Sequence, residues 1–295
     1  MKKILITGAS GLVGYEIAKT LMMNPEYEIF VTMRSHRNEK WKNVIQIDLQ
    51  NVNIETIKIH FDCIVHCAAV IPNNFYDDKQ VSIINRRIDD NIINYCLKNG
   101  CKLIYISTAA VYGYDDKVLL TEGMELRLNT YYKAEKRSSE IKIKDNCSSY
   151  CALRISSPYG ARQKNMTVLK KFVDAIYFGE DIYYWGTGER TQNFIDVRDI
   201  AQAVLKCIEC KENGVFNIAS RYSISMKNLA DLIIKLGRNI FNTTSGVYAK
   251  NEIDPQENVR VNIDINLAEK VIGWKPQIEL DEGISYWMKV MKEGM

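Results

Sequence analysis

Two reactive side chains, Tyr132 and Lys136, stand four positions apart in segment 129–143, whose pattern is typical of a helix. Residues four apart lie on one face of a helix, so the phenol and the ammonium are expected side by side. The ammonium favours the phenolate and pulls the phenol pKa from about 10 toward neutrality, where a tyrosine can give or take a proton. The same spacing also occurs on ordinary solvent-exposed helix faces, so the surrounding segments must decide between the two interpretations.

Thr108 offers a third reactive group just after an apolar run, 102–106, that is typical of a buried strand. In open α/β sheets, ligands bind beside the carboxyl ends of the strands. The Thr108 hydroxyl is therefore expected where it can orient a hydroxyl or carbonyl group of a substrate.

A strand, a tight turn and a helix open the chain. The apolar run 3–7 is followed by Gly8, Gly11 and Gly14 and by a helical pattern over 12–21. The first glycine permits the sharp turn, the second lets the backbone approach a phosphate, and the third lets the helix pack close to the strand. The unpaired N–H groups and the positive dipole end of the helix then favour a pyrophosphate. Glycines also serve ordinary turns, so this pattern does not identify a dinucleotide site by itself.

Strands and helical stretches alternate along the chain. Further strands are predicted at 27–33, 44–47, 61–67, 102–106, 152–155, 182–185, 194–197 and 215–219. Helices are predicted at 81–97, 129–143, 167–178, from 199, at 225–236 with Ser225 as the cap, at 266–272 and from 281, with a surface excursion at 239–255. The alternation indicates an α/β fold, a doubly wound parallel Rossmann sheet with a smaller C-terminal substrate lobe. We predict a dinucleotide-binding domain at 1–160 with returning segments near 194–220, and a substrate-binding lobe at 161–193 and 221–295.

The composition narrows the possible partners. The 295 residues include 39 lysines and arginines against 36 aspartates and glutamates, so the small excess gives no case for a nucleic acid or an acidic membrane surface. No apolar run approaches the roughly 18 residues needed to span a bilayer, and the N-terminal run is too short for a signal peptide, which predicts a cytoplasmic protein. The spacing of the eight cysteines matches no zinc site, so no metal is expected.

Several segments together resemble one family. They are TGASGLVG at 7–14, HCAA at 66–69, STAAVYG at 107–113, YKAEKRSSE at 132–140, LRISSPYG at 153–160, GTGERTQNFIDVRDIAQA at 186–203 and IGWKP at 272–276. In order and spacing they are similar to the extended short-chain dehydrogenase/reductases. Within that group they resemble the NAD-dependent epimerase/dehydratase branch, which acts on nucleotide-activated sugars. The resemblance covers nearly the whole chain.

The resemblance implies a role for each matched residue. Tyr132 is implied as the catalytic acid/base, Lys136 as its partner and a ribose ligand, and Thr108 as the third catalytic member. The implied cofactor-binding residues are, besides Tyr132 and Lys136, Gly8, Gly11, Leu12, Val13 and Gly14 at the pyrophosphate, Asp48 and Leu49 at the adenine, and Cys67, Ala68 and Ala69 at the ribose of the nicotinamide half. Asn85 matches a position whose side chain steadies the strand beside the active site.

Two departures from the family pattern bear on the cofactor and the reaction. Where many sugar epimerases carry an aspartate at the end of the second strand, this chain has Met33 and then Arg34, with Arg37 three residues further. An arginine there can accept a 2′-phosphate, so the expected cofactor is NAD or NADP, and Arg34 favours NADP. Arginines after a strand are also ordinary surface residues. The Asp-Glu pair of the sugar 4,6-dehydratases is replaced by Ala109 and Ala110, which argues against dehydration.

A third departure concerns the substrate diphosphate. The pyrophosphate-binding asparagine of the family is Ser157 here, and the expected arginine is Gln192, with Arg190 two residues earlier. A glutamine cannot make the forked, charge-assisted contact of an arginine with a phosphate. Arg190 or Arg260 can compensate, so the candidate substrate-binding residues are Ser157, Arg190, Gln192 and Arg260.

The expected function is hydride transfer between a nicotinamide cofactor and C4 of a nucleotide-activated sugar. An epimerase keeps NAD bound and reduces the transient ketone from its other face, whereas a ketoreductase uses NADPH once and releases the oxidised cofactor. The alternatives are a reductase of a carbonyl substrate without a nucleotide and a non-catalytic NADP-binding regulator, although Tyr132 with Lys136 argues against the regulator. The resemblance also implies a homodimer, formed through the predicted helices at 81–97 and 129–143.

Overall fold

A parallel sheet of seven strands forms the centre of the protein, in a computed structural model that describes residues 1–34, 41–71, 75–113 and 119–294. The strands are β1 (Lys2–Thr7), β2 (Tyr27–Met33), β3 (Val44–Gln46), β4 (Cys63–His66), β5 (Lys102–Thr108), β6 (Tyr150–Ile155) and β11 (Gly214–Ile218). They lie in the order β11-β6-β5-β4-β1-β2-β3, and each is parallel to its neighbours. The predicted doubly wound parallel sheet is confirmed.

Both faces of this sheet are covered, which explains why its strands are apolar along their length. Ile4, Leu5 and Ile6 of β1 are all fully buried, although successive side chains of a strand point to opposite faces. The strand order reverses at β1, which lies between β2 and β4. A crevice therefore opens at the carboxyl ends of β1 and β4, where open α/β sheets bind their ligands.

The helices pack in layers on the sheet and in a separate group beyond it. Those of the described ranges are α1 (Leu12–Leu21), α2 (Asp78–Asn99), α3 (Tyr131–Asn146), α4 (Val168–Tyr177), α5 (Val197–Glu209), α6 (Met226–Phe241), α7 (Asn266–Ile272) and α8 (Leu280–Glu293). α1 and α5 pack together on one face of the sheet, and α2 and α3 pack together on the other. None of these helices is both long enough and apolar enough to cross a membrane.

A third apolar core lies away from the sheet. α4, α6 and α8 pack against one another there and bury Phe172, Ile233 and Trp287. Three short strand pairs border these helices, namely β7 (Ser157–Tyr159) with β10 (Phe194–Asp196), β8 (Ile182–Tyr184) with β13 (Val247–Ala249), and β9 (Thr191–Gln192) with β12 (Ile224–Ser225).

Local caps explain where two of the helices begin. The Ser225 side chain accepts a hydrogen bond from the Asn228 backbone at 3.2 Å, so the predicted cap of α6 is confirmed. At the start of α2, Asp77 and Gln80 form a reciprocal capping box. This box lets α2 begin three residues before the predicted position 81.

The surface excursion expected at 239–255 is wrong in part. α6 continues to Phe241, and Val247–Ala249 forms β13 beside β8. A strand of three residues is too short to show an apolar period, and its pairing partner lies more than sixty residues earlier in the chain.

Segment 259–274, which the sequence assigns to the substrate lobe, packs on the sheet domain. Its side chains Val261, Ile263 and Trp274 belong to the core on the α1 and α5 face. The Trp274 indole N–H also donates to the Asp199 carbonyl at 3.0 Å. This segment therefore belongs to the core on the α1 and α5 face, and the division of the chain into a cofactor domain and a substrate lobe stays a prediction.

Candidate active site

The glycine turn joins β1 to α1 at the crevice. Gly8 adopts a φ of +71°, and a Cβ on it would stand 2.7 Å from the Ala68 backbone nitrogen. The Gly11 N–H closes the turn by donating to the Gly8 carbonyl at 2.9 Å. α1 then begins at Leu12 with no side-chain cap and no acidic residue in its first turn, so the N–H groups of that turn are left for a ligand. This backbone cradle, which larger side chains would fill, fits a dinucleotide pyrophosphate.

Gly14 provides a test of that cradle. A Cβ at this position would stand 2.4 Å from the Gly8 carbonyl oxygen. Alanine inside a helix is normally about 1 kcal/mol more favourable than glycine, so a loss of stability reports the clash. We expect Gly14→Ala to lower the free energy of unfolding by about 1–3 kcal/mol in chemical denaturation and to weaken dinucleotide binding. The control is Gly123→Ala, where a Cβ meets no atom of the described residues within 4 Å, and equal stability of both variants would contradict the proposed close approach.

Two side chains fix the start of α3, the helix that carries Tyr132 and Lys136 on one face. Thr130 caps the first turn through its side-chain oxygen. Asp78 of α2 accepts hydrogen bonds from the backbone nitrogens of Tyr131 at 2.6 Å and Tyr132 at 3.1 Å. α2 thereby holds the backbone of Tyr132 in place.

Lys136 is buried, with its ammonium group at the carboxyl end of β5. Its Nζ donates to the Tyr105 hydroxyl at 3.0 Å and to the Ile106 carbonyl oxygen at 3.1 Å. It also lies 4.5 Å from the centre of the Tyr105 ring, a cation–π distance. The ammonium is therefore fixed beside the edge of the sheet where ligands bind.

Burial and charge act in opposite directions on the Tyr132 phenol. Burial raises the pKa of Tyr132 above its usual 10, the Lys136 ammonium lowers it, and the Asp89 carboxylate raises it. The effect of Lys136 has the predicted sign, but burial outweighs it. The Lys136 ammonium therefore offsets part of the effect that burial has on the pKa of the phenol.

Thr108 ends β5 and caps the short 3₁₀ turn at Ala109–Tyr112. Its Oγ1 accepts a hydrogen bond from the Ala110 backbone at 3.1 Å, which leaves the hydroxyl hydrogen for another acceptor. α3 packs against this turn and against β5. Thr108 and the helix that carries Tyr132 and Lys136 thus lie at the same end of β5, and the catalytic roles of the three residues stay predictions.

A buried aspartate that the sequence analysis missed lies behind Lys136. Asp89 of α2 accepts hydrogen bonds from His66 Nε2 at 3.0 Å, from the Tyr105 hydroxyl at 2.5 Å and from Ser139 Oγ at 2.7 Å. Burial opposes ionisation of this carboxyl, but the Lys136 charge and the hydrogen bonds from His66 and Tyr105 lower its pKa to about 2. The sequence signal that could have identified Asp89 is a carboxylate within the apolar face of a helix. The sequence predicts His66 only as a strand residue.

The loop after β4, segment 67–69, is held from two sides. Thr7 Oγ1 accepts hydrogen bonds from the backbone nitrogens of its first two residues at 3.2 and 3.1 Å. Asn85 of α2 bonds both backbone groups of the adjoining Val70, accepting from its nitrogen at 2.8 Å and donating to its oxygen at 2.9 Å. Asn85 therefore steadies this loop, whereas the resemblance implies that it steadies the strand itself.

The outer part of the crevice lies beyond β2 and β3. Arg34 directly follows β2 and is exposed, whereas Asp48 and Leu49 lie just after β3. The Asp48 carboxylate accepts from Asn51 Nδ2 at 2.7 Å, and Leu49 is buried in the core on the α2 face. Arg37 lies outside the described residues.

The four predicted substrate-binding residues form one group. Gln192 Nε2 donates to Ser157 Oγ across the start of the third core. Thr191, the residue between Arg190 and Gln192, hydrogen-bonds the backbone on both sides of Arg260 at 3.0 and 2.8 Å. The structure therefore brings Ser157, Arg190, Gln192 and Arg260 into one neighbourhood, and their contact with a substrate stays a prediction.

Both arginines of this group already have partners. Arg190 Nε lies 2.9 Å from the Asp254 carboxylate, and its Nη1 donates to Gln256 Oε1 at 2.8 Å. Arg260 Nη1 donates to two carbonyl oxygens of its own turn at 2.6 and 3.1 Å. The carboxylate beside Arg190 partly neutralises the charge that would otherwise attract a phosphate.

A model of the NAD dependent epimerase/dehydratase family matches residues 4–219, from β1 through β11. The chain belongs to this family. The resemblance given by the sequence motifs is thereby confirmed. In this epimerase/dehydratase, Ala109 and Ala110 follow Thr108 and carry no side chain that can transfer a proton. Among the described residues of this family member, no three side chains of the metal-binding types come together as a metal site.

Several relatives of the chain are nucleotide-sugar enzymes. A putative UDP-glucose 4-epimerase from Methanocaldococcus jannaschii is 29% identical over 314 residues, which cover 97% of this chain and 98% of the relative. The solved UDP-N-acetylglucosamine 4-epimerase from Methanobrevibacter ruminantium M1, in complex with UDP-N-acetylmuramic acid, has a TM-score of 0.87 and 25% identity, covering 100% of this chain and 99% of that one. UDP-glucuronic acid 4-epimerase from Bacillus cereus, in complex with UDP-glucuronic acid and NAD, shares the fold with a TM-score of 0.85 and 20% identity, covering 99% of this chain and 100% of that one.

Proposed function

We propose that this family member is an NAD-dependent nucleotide-sugar 4-epimerase that inverts the C4 hydroxyl of a UDP-linked sugar. The observation that carries the proposal is the Tyr132–Lys136 pair at the carboxyl end of β5, because this pair can move a proton at the edge where the glycine cradle accepts a dinucleotide. The family match and the UDP-sugar relatives support the substrate class.

The chain's own residues would move the proton in both halves of the reaction. Tyr132 takes the proton of the C4 hydroxyl, while the free hydroxyl hydrogen of Thr108 is donated to the same oxygen. A nicotinamide ring held in this crevice would supply the acceptor and donor for the hydride at C4. Tyr132 then gives this proton back to the C4 oxygen, and the Lys136 ammonium stabilises the phenolate that is present before the first proton transfer and after the second.

The cofactor-binding assignments support NAD in this cycle. Gly8, Gly11 and the first turn of α1 hold the pyrophosphate, and Asp48 with Leu49 stays assigned to the adenine. The NADP preference suggested by Arg34 stays a prediction, since an exposed arginine after β2 is compatible with a 2′-phosphate without requiring one. The ratio of the dissociation constants for NAD and NADP, measured with the wild-type protein, decides between the two cofactors.

The remaining assignments are also proposals. The core of α4, α6 and α8 is proposed as the substrate lobe, with Ser157 and Gln192 at its border. The packed helices α2 and α3 are proposed as the homodimer contact, and they leave Ile83 and Leu97 of α2 and Ile141 of α3 about half exposed. Sedimentation of the wild type at twice the chain mass is the expected result, and a monomer would contradict it. The cytoplasmic location stays a prediction from the sequence.

The function is tested by combining cofactor identification with product analysis. Protein purified without added nicotinamide is denatured, and the released cofactor is identified by mass and absorbance. The wild type is then incubated with UDP-glucose, UDP-N-acetylglucosamine and UDP-glucuronic acid, and the C4 configuration is followed by proton NMR. Retained NAD with formation of a C4 epimer and no net reduction of cofactor is expected. Consumption of one NADPH per 4-keto sugar would overturn the proposal in favour of a ketoreductase.

A further inference from the structure

Asp89 lies at the centre of a fully buried polar network between the cofactor crevice and α2. One of its carboxylate oxygens accepts from His66 Nε2, and the other accepts from the Tyr105 and Ser139 hydroxyls. Three donors converge on one side chain that has no exposed surface. Buried carboxylates in such surroundings are ionised and require a compensating charge.

Tyr105 links Asp89 to that compensating charge, which is the Lys136 ammonium. The Tyr105 hydroxyl donates its hydrogen to Asp89 and accepts a hydrogen bond from Lys136 Nζ at 3.0 Å. One phenol group therefore separates the buried carboxylate from the buried ammonium. Tyr105 and the Ile106 carbonyl together engage two of the three N–H groups of Lys136, which leaves one for a ligand.

His66 links Asp89 to Thr7, the residue directly before the glycine turn. Thr7 Oγ1 accepts from the two backbone nitrogens of Cys67 and Ala68, so its own hydrogen goes to His66 Nδ1 at 2.6 Å. His66 Nε2 must then carry a hydrogen, and it donates that hydrogen to Asp89. The carboxylate thereby fixes the imidazole, and the imidazole fixes the backbone that follows β4.

We propose that Asp89 is the positioning residue of this site, which holds Lys136 through Tyr105 and the Cys67–Ala68 backbone through His66. These are the two groups assigned to the ribose of the nicotinamide half, so one buried carboxylate sets the distance between them. The proposal rests on the proposed function, because it is the role of Lys136 that makes its position matter. Asp89 touches neither substrate nor cofactor and acts through its neighbours.

The charge of Asp89 also sets the protonation of the site. The titratable side chains that face it come from three neighbouring elements, and they are His66 on β4, Tyr105 on β5, and Tyr132 and Lys136 on α3. A negative charge raises the pKa of every group near it, since it favours the protonated form. Removal of this charge therefore lowers the pKa of Tyr132, and the activity profile moves to lower pH.

The decisive variant is Asp89→Asn, which keeps the size of the side chain and removes its charge. We expect the pH profile of kcat/KM to move to lower pH by about one unit or more. NAD binding to the cofactor-free protein, titrated by tryptophan fluorescence, should weaken about tenfold or more, because a hydrogen-bonded charge is lost behind Lys136. The matched control is Asp199→Asn. Among the described residues, the donors to that buried carboxylate are the backbone nitrogens of Gln277 and Ile278, so its loss should lower stability without moving the profile.

A second pair of variants serves if Asp89→Asn does not fold. Tyr105→Phe and Ser139→Ala each remove one hydroxyl from the same Asp89 oxygen, but only Tyr105 also contacts Lys136. Tyr105→Phe should weaken NAD binding about tenfold, while Ser139→Ala stays within about twofold of the wild type. Equal effects of these two variants, or an Asp89→Asn profile that keeps its position, would overturn the proposal. A wild type that neither binds NAD nor epimerises would instead overturn the proposed function.

Discussion

Replacement of Tyr132 by phenylalanine is expected to lower kcat for C4 epimerisation by about 10²- to 10⁴-fold. The substitution removes only the hydroxyl group that accepts and returns the proton. The substitution keeps the aromatic ring, the hydrogen bond that the Tyr132 backbone nitrogen donates to Asp78, and the contacts of Lys136 with Tyr105 and Ile106. NAD binding and thermal stability should therefore remain close to those of the wild type, so that the loss falls on the chemical step. Product formation followed by NMR, together with a cofactor titration, measures both quantities.

The adjoining residue offers a matched control for this experiment. Tyr131→Phe removes the same atom one position away on α3, from a side chain that is 57% exposed. Its kcat should equal that of the wild type. A Tyr132→Phe enzyme that retained kcat within about threefold would show that another group moves the proton, since loss of a general acid/base costs far more.

Replacement of Glu140 by glutamine is expected to lower the free energy of unfolding by about 3–5 kcal/mol. The Glu140 carboxylate accepts from Arg154 Nε at 3.0 Å, from Arg154 Nη2 at 2.7 Å and from Ser107 Oγ at 2.6 Å. Both charged side chains are almost completely buried. Glutamine keeps the shape of the side chain but leaves the Arg154 guanidinium without its counter-ion in the core. The expected decrease is large compared with the free energy of unfolding of most domains, about 5–15 kcal/mol. Denaturation by urea measures the change.

Two further variants distinguish the contribution of the buried pair to stability from that of an ordinary surface ion pair. Glu269→Gln removes one partner of the half-exposed Arg221–Glu269 pair, 4.0 Å apart, and should change stability by no more than about 1 kcal/mol. The double variant Glu140→Gln/Arg154→Met removes both buried charges and should recover part of the loss. A Glu140→Gln protein as stable as Glu269→Gln would contradict the importance of the buried pair.

The same pair makes stability depend on pH. Burial opposes ionisation of Glu140, but hydrogen bonds and charge from Arg154 outweigh it and hold the pKa of this carboxyl below its usual 4.5. A lowered pKa in the folded state contributes stability above the unfolded value, and that contribution disappears as pH falls through the folded value. The free energy of unfolding of the wild type should thus decrease as the pH is lowered below about 4.5. The Glu140→Gln protein should lack the part of this decrease that comes from Glu140.

Much of the fold follows from short-range pattern. The predicted bounds of α1, β2 and α7 coincide with those observed, because apolar period and flanking glycines act within a few residues. The pattern failed at Val247–Ala249, whose strand exists only through pairing with β8. It was also insufficient at segment 259–274, where no local feature tells which of two cores will bury an apolar side chain.

The cofactor turn, the Tyr132–Lys136 pair and the family could be predicted without a structure, because each depends on residue types at fixed spacings along the chain. The surroundings of that pair could not be predicted in this way. Asp89 accepts hydrogen bonds from side chains 16, 23 and 50 residues away. Arg190 forms an ion pair with Asp254, more than sixty residues along the chain. The pKa of Tyr132 likewise follows from burial that only the folded chain creates. Electrostatic environment depends on distances in space, which one-dimensional spacing does not contain.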